Sequence, residues 1–510
     1  RRVARASAHA ARSGGEGLIV QRKYRCFWKK SAAALALCLA AAALSPQGAE
    51  RTEAAATLGE AYAAHAATKD RTIVLERDTA QKEANAPVEA DANAKNEPTD
   101  ERAAEGAKPP MSMNPETKEA VRKLPKKLRF LWQPVADAVR YEFVIEEGAG
   151  DKAEAVYRDT HVFNNGVEIA LAGRGWLDAN HYWRVRALDY DGNARSAFSP
   201  PAAVELAEKD PAAPHPTSEF QKMDYVPLYP TYSWIPVQGA AEYEVSVWKR
   251  GRTEPELLHM LYATDLTCYD PYGFTTPGSY YWKVRALDAV HQPVGDWSEN
   301  VPFEVKSPVV VAALGDSITH GGGAVVYGPD RALYDWETYA AFPIKNLGYS
   351  GDTVEAMEAR FERDVLPFRP KILVIMGGVN NYRVGGRAAD IIAVLARIRD
   401  KCTAHGITPV FATATSLNPA KIAKLQYAQN PPANWSDEQA ALNRWILSQP
   451  YCVDVTTVLS DDRGQLEDIY TTDGLHPDSA AKRFIGETIS NYLRARFPHV
   501  VEPILRTPKF

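Results

Sequence analysis

Cysteine is scarce in this chain of 510 residues: there are 5, and Cys26 and Cys38 fall in a basic-then-apolar N-terminal stretch. Only Cys268, Cys402 and Cys452 remain, an odd number that argues against a disulfide-stapled scaffold, although a Cys402–Cys452 bond in an oxidising compartment stays open. Cys-x-x-Cys and His/Cys clusters at ligand spacing are missing, which argues against a structural zinc, and no metal is expected. Positive charge is not in surplus either. With 59 Lys and Arg against 64 Asp and Glu, net −5, no cationic field points to nucleic acid or an acidic polymer as partner. The apolar run over residues 32–44 is shorter than the ~20 residues a bilayer-spanning helix needs, so no stable membrane span is expected in the mature chain. A Gly-x-x-x-x-Gly-Lys-Ser/Thr phosphate loop is absent as well.

That short run follows Arg22, Lys23, Arg25, Lys29 and Lys30 and ends at Ser45-Pro46-Gln47-Gly48-Ala49. Basic, apolar and small-residue segments in this order read as an export signal over residues 1–49, hence a secreted, periplasmic or cell-surface protein. Leu37 before Cys38 is a poor lipoprotein cleavage residue, so lipidation is not expected. No Met precedes Met111, which points to a non-Met start near Leu18 or Val20, or to a start assigned too early. Residues 50–127, rich in Ala, Glu, Lys and Pro with Tyr62 as sole aromatic, bury too little apolar surface to offset chain entropy and are read as a flexible linker.

An internal repeat follows. The stretch from Trp132 to Tyr141 matches that from Trp234 to Tyr243, and Tyr182-Trp183-Arg-Val-Arg-Ala-Leu-Asp189 matches Tyr281-Trp282-Lys-Val-Arg-Ala-Leu-Asp288. Period-2 alternation broken by Pro, Gly and Asn turns marks short strands with one buried face, the pattern of a sandwich. With an early strand Trp, a Tyr in the next strand and the Tyr-Trp-x-Val-Arg-Ala strand, both copies resemble fibronectin type III domains, over residues 128–206 and 222–306. From residue 307 to 500, short continuous apolar runs (309–314, 343–347, 372–376, 409–412 and 452–458) alternate with helical segments. One helix is expected with Asp390 as its cap and Ile391, Val394, Leu395 and Ile398 on its apolar face, and another over 479–496. Such alternation predicts a parallel sheet covered on both faces, a three-layer α/β/α domain of flavodoxin-like order.

The first of these strands runs into Gly315-Asp316-Ser317-Ile318. Further blocks follow: Asn346-Leu-Gly348-Tyr-Ser350-Gly351-Asp352, then Gly378-Val379-Asn380-Asn381, then Asp473-Gly474-Leu475-His476-Pro477. In this order they resemble the SGNH (GDSL-type) hydrolase family. Attack on an ester needs a deprotonated hydroxyl and a sink for the oxyanion. His476 can take the Ser317 proton, and Asp473, three residues earlier, can hold the other ring nitrogen, so Ser317, Asp473 and His476 form the candidate triad. The resemblance implies an oxyanion hole of the Ser317 N–H, the Gly351 N–H and the Asn380 amide. Asn381 departs from the family's usual Asp, which bears on packing behind the site. His320 lacks an acid at Asp-x-x-His spacing and is read as a turn or wall residue, and Asp316 as a structural hydrogen-bonder.

No cofactor is required by this chemistry. Loops 321–336 and 418–435 carry Tyr327, Tyr334, Trp336, Tyr427 and Trp435, and Tyr327, Trp336 and Trp435 are candidate pocket residues; packing under the loops is the alternative. Gly321-Gly322-Gly323 reads as a flexible approach to the pocket. The expected activity is hydrolysis of short acyl esters, acetyl above all, with acetylated polysaccharide as substrate. A lipase or lysophospholipase, an envelope-glycan acyltransferase, and an adhesion or scaffold protein with an inactive hydrolase domain are the alternatives.

Overall fold

A computed structural model describes residues 126–148, 150, 153–171, 180–206, 211–323, 327–426, 428–507 and 509. The expected export signal, all of the expected linker but its last two residues, and Tyr427 lie outside this set. Among the described residues no helix is long and apolar enough to cross a membrane.

Each repeat folds as a pair of antiparallel sheets. In the first, β1 (Lys127–Leu131) pairs with β4 (Gly166–Ala170), while β2 (Arg140–Glu147), β3 (Glu154–Val162), β5 (His181–Leu188) and β6 (Ala202–Ala203) form a sheet of order β3-β2-β5-β6. The second repeats that plan and begins ahead of the expected residue 222, because His215 and Pro216 pair with its strand Thr231–Ile235. Here β8 (Thr231–Ile235) lies between β7 (His215–Pro216) and β11 (Thr267–Tyr269), and β9 (Glu242–Lys249), β10 (Glu256–Ala263), β12 (Gly278–Leu287) and β13 (Val301–Val305) take the order β10-β9-β12-β13. Tyr141, Phe143 and Ile145 enter one core and Tyr243, Val245 and Val247 the other, but the opposite face of these strands is not wet as expected: Glu142, Glu146 and Glu244 are buried as well, paired with Arg186, Arg184 and Arg285. Side-chain detail repeats too. Val135 N–H donates to the Tyr141 hydroxyl (2.8 Å) and Val237 N–H to that of Tyr243 (2.9 Å). Arg186 covers the Phe198 ring at 4.5 Å and Arg285 the Trp297 ring at 4.7 Å.

The last third is an α/β domain whose five strands are all parallel. They are β14 (Val311–Gly315), β15 (Ile344–Asn346), β16 (Ile372–Met376), β17 (Thr408–Ala412) and β18 (Cys452–Val453), in the order β15-β14-β16-β17-β18. In strand sequence this is 2-1-3-4-5, the flavodoxin-like arrangement, with order reversing at β14. β14 and β16 are buried throughout, as their unbroken apolar runs require. The run from 452 gives only two strand residues, because the Asp454 carboxylate accepts the Thr456 and Thr457 N–H groups (2.9 and 3.1 Å) and turns the chain. Helix Ala388–Ala404 buries Ile391, Val394, Leu395 and Ile398, but Asp390 lies in its first turn and Arg387 at its N-cap. Cys402 and Cys452 are both free thiols.

The second repeat and the α/β domain share one continuous apolar core, from Phe220 through Trp282 to Val501, while the first repeat keeps a separate one around Phe130, Tyr141 and Phe143. Polar contacts join the first repeat to the rest. The Asp137 carboxylate accepts from Ser479 N–H and Oγ (both 2.9 Å), and Arg331 donates to Asn164 Oδ1 and Thr217 Oγ1 (both 2.9 Å).

Candidate active site

Ser317 opens a single helical turn, Ser317–His320, just past the carboxyl end of β14. The turn forms there because Asp316 Oδ1 accepts the Ile318 N–H at 2.9 Å, the capping role expected of it. Burial pushes the Asp316 carboxyl up to about 6, against the Ile318 N–H and His476, which hold it down. Under the same turn, buried Lys482 donates to the Ile318 carbonyl at 2.6 Å, and burial lowers its ammonium to about 8.

Across the site, Asp473 organises its own turn. Its Oδ1 accepts the Leu475 and His476 N–H groups (both 2.8 Å), and its Oδ2 lies 2.7 Å from His476 Nδ1. Thr471 braces this turn, accepting the Gly474 N–H (2.9 Å) and donating to the His476 carbonyl (2.8 Å). Burial raises the Asp473 carboxyl, but its pairing with the His476 ring and the backbone hydrogen bonds outweigh burial and leave it below the ordinary value. A carboxylate only accepts, so His476 carries its proton on Nδ1 and turns a bare Nε2 toward Ser317 Oγ, 2.9 Å away. Ser317 and His476 each retain 8% exposure and Asp473 4%, so the pair that would meet substrate is the more open.

Two loops face the serine turn. The one after β15 closes through Asp352 N–H to the Tyr349 carbonyl (3.2 Å), with Gly351 at φ +93°. Asn380, in the short helix Val379–Tyr382 after β16, donates one amide hydrogen to the Asp352 carbonyl (2.9 Å), and its Oδ1 accepts from Arg383 (3.3 Å). The amide orientation is thereby set, and a second N–H remains on Nδ2. Asn381, in place of an Asp, accepts the Val354 N–H (3.0 Å) and donates to Glu355 (2.8 Å), tying this segment back to the earlier helix Val354–Ala359. Chemically, such an arrangement can offer a hydroxyl, an imidazole with an orienting carboxylate, and amide donors on two loops.

A family model for the GDSL-like lipase/acylhydrolase family matches residues 313–484. The chain carries a GDSL-like lipase/acylhydrolase domain. It is an enzyme of the GDSL/SGNH esterase type, and Ser317, Asn380, Asp473 and His476 all lie inside the matched stretch. Solved structures similar to this acylhydrolase domain include a putative acylhydrolase from Bacteroides fragilis (18% identity, 37% of this chain and 90% of that one, TM-score 0.30). Others are a lipase/acylhydrolase from Enterococcus faecalis (18%, 36% and 95%, 0.31) and a catalytic mutant of an acetylxylan esterase from Geobacillus stearothermophilus (17%, 37% and 95%, 0.27). No curated protein matches the sequence.

The candidate pocket aromatics of the acylhydrolase domain are all buried in packing, the alternative to a pocket role. Trp336 is 0% exposed, in the shared core. Tyr327 is buried against the first repeat, its hydroxyl 2.7 Å from that of Tyr141. Trp435 is buried with its ring 6.5 Å from that of Tyr382. Burial of their large apolar faces outweighs exposure at a pocket mouth. Gly321, Gly322 and Gly323 are buried, and Gly323 exchanges backbone hydrogen bonds with Tyr327 (3.0 and 3.3 Å), so these three glycines are held in place instead of forming a flexible approach. Sequence reasoning also missed Arg360. Its buried guanidinium bonds Asp352 (2.6 Å), Asp364 (3.2 Å) and the Leu347 and Gly315 carbonyls (2.7 and 3.1 Å), bracing the loop after β15. The surrounding helical pattern carried no signal for it.

Proposed function

We propose that this protein is an exported serine esterase that removes short acyl groups, acetyl above all, from carbohydrate through an acyl-enzyme on Ser317. The observation that carries the reading is the hydrogen-bonded series Asp473, His476, Ser317. As Ser317 Oγ attacks the ester carbonyl, its proton passes to His476 Nε2, and the imidazolium is stabilised by Asp473. The charge on the carbonyl oxygen is met by the Ser317 and Gly351 N–H groups and the free Asn380 N–H. Collapse expels the alcohol, which takes the proton from His476. Water then attacks the acyl group by the same route and restores the serine.

A short acyl group is favoured because the nearby aromatics suited to a long apolar groove are committed to packing. Export rests on the segment order of residues 1–49, and we read the two repeats as fibronectin type III-like from their strand motifs. The test is turnover of 4-nitrophenyl esters from acetate to palmitate by wild type, Ser317→Ala and His476→Ala. The reading requires a rate highest for acetate and a loss of about 10⁴-fold or more in kcat in either variant. A preference for palmitate would instead indicate a lipase, and carbohydrate binding without turnover a scaffold.

A further inference from the structure

The segment Val226–Tyr229, which leads into β8 of the second repeat, runs along β15 and the Gly351 loop. Lys345 Nζ donates to the Val226 carbonyl at 2.6 Å, and Leu228 N–H donates to the Asn346 carbonyl at 3.0 Å. The Tyr229 ring meets that of Tyr349 at 4.6 Å, and its hydroxyl donates to Asp364 at 2.6 Å. The segment is held to its own repeat by Phe274 N–H on the Leu228 carbonyl, 2.9 Å.

Where the segment passes the nucleophile turn it meets His320, three residues after Ser317 and 1% exposed. His320 Nε2 lies 2.7 Å from the Tyr229 carbonyl, and its Nδ1 lies 2.8 Å from Ser350 Oγ and 3.2 Å from Ser350 N. A carbonyl cannot donate, so Nε2 carries the hydrogen and Nδ1 is the acceptor for Ser350. One tautomer satisfies every contact. Tyr349 to Asp352 make a tight turn closed by Asp352 N–H on the Tyr349 carbonyl (3.2 Å), with the positive φ of Gly351 (+93°) at its third position, as in a type II turn. Types I and II differ by a flip of the central peptide, here the one that bears the Gly351 N–H.

We infer that His320 is a positioning residue for the oxyanion hole: the Tyr229 carbonyl of the second repeat fixes the ring tautomer that leaves Nδ1 an acceptor, and through Nδ1 the ring anchors Ser350 and so aims the Gly351 N–H. The second repeat is then part of the catalytic apparatus, through a residue that itself never touches substrate. This rests on the assignment of Ser317 as nucleophile and Gly351 as oxyanion donor.

Two substitutions separate the ring's two functions. His320→Asn places an amide oxygen near the Nδ1 position and keeps the acceptor for Ser350, whereas His320→Gln keeps a donor near the Nε2 position and loses that acceptor. Each is made in the full-length protein with His320→Ala and Ser317→Ala, and kcat and KM for 4-nitrophenyl acetate are read beside the melting temperature. The expected result is a fall in kcat of about 10- to 100-fold for Gln and Ala with KM within about twofold, since a displaced donor costs less than a deleted one. His320→Asn is expected to recover kcat to within about threefold of wild type, a split that general loss of packing does not produce. Equal loss in Asn and Gln, or full kcat in Gln and Ala, overturns the inference while Ser317→Ala remains inactive. Wild-type activity in Ser317→Ala overturns the nucleophile assignment, and the inference falls with it.

Discussion

Asp316 is 1% exposed and caps the turn that Ser317 opens, so burial opposes its ionisation, and its carboxyl is raised to about 6. The unfolded value is near 3.9, so the folded state holds this proton more tightly. The associated stability is complete below pH 4 and is lost as pH rises through 6, costing up to roughly 3 kcal/mol at pH 8 for a shift of about two units. Asp316→Asn keeps an oxygen to cap Ile318 and removes the charge. Its melting temperature should exceed wild type at pH 8, with the difference closing between pH 7 and 4; an increment independent of pH would contradict the argument. Asp473 runs the other way: its carboxyl lies below the usual value, so its contribution is present above about pH 4 and fades as acid protonates it. Asn380 gives the plainest catalytic prediction. Asn380→Ala removes one amide donor and should lower kcat by about 10²- to 10³-fold with little change in KM, measured with 4-nitrophenyl acetate.

At the scale of elements, the loop after β15 is pressed onto the serine turn. A Cβ on Gly348 would lie 2.2 Å from His320 N and 2.6 Å from His320 Cα, both backbone atoms that cannot swing aside. Asn346 Nδ2 laces the same two segments through the Thr319 carbonyl at 2.6 Å. Gly348→Ala should therefore push the loop off the turn, destabilise by about 1–3 kcal/mol, and lower kcat more than thermal denaturation at assay temperature accounts for. Thermal melts and single-turnover kinetics distinguish the two losses. This part of the molecule also shows what the sequence reveals. Buried strands such as Ile372–Met376 are readable because unbroken apolar runs have few other uses, and helix Ser479–Arg496 was bounded correctly by its periodicity. The residues brought together at the serine were readable as motifs. What was not readable is how long-range packing uses an aromatic: Trp336 and Tyr327 look alike as loop residues, yet one lies in the shared core and the other against Tyr141. His320 was equally opaque, because its partner Tyr229 is 91 residues away in a different repeat.

For the whole molecule, linear order suggests separable modules, and the packing makes an unequal division. The second repeat contributes Phe220, Leu228, Tyr229 and Trp282 to the core that also holds Leu314 and Ile375, whereas the first repeat has a core of its own. Glu219 of the second repeat accepts the Ala332 N–H (3.1 Å) and donates its own N–H to the Asp330 carbonyl (2.8 Å). By contrast, many of the first repeat's contacts to the acylhydrolase domain are polar, such as Asp137 on Ser479 and Asn164 on Arg331, and water can replace these when they are uncovered. Re-exposing each large apolar side chain costs about 1.5–3 kcal/mol, and a few of them exhaust the roughly 5–15 kcal/mol that stabilises an ordinary domain. A chain beginning at residue 211 should thus remain soluble and keep esterase activity, with a modestly lower melting temperature. One beginning at residue 307 should aggregate or melt far lower and lose turnover, having lost both its share of the core and the Tyr229 carbonyl that holds His320. Expression of the two truncations, followed by melts and 4-nitrophenyl acetate hydrolysis, checks the contrast. Full activity in the shorter chain would reduce the second repeat to a spacer and remove the reason for its core to be continuous with that of the acylhydrolase domain.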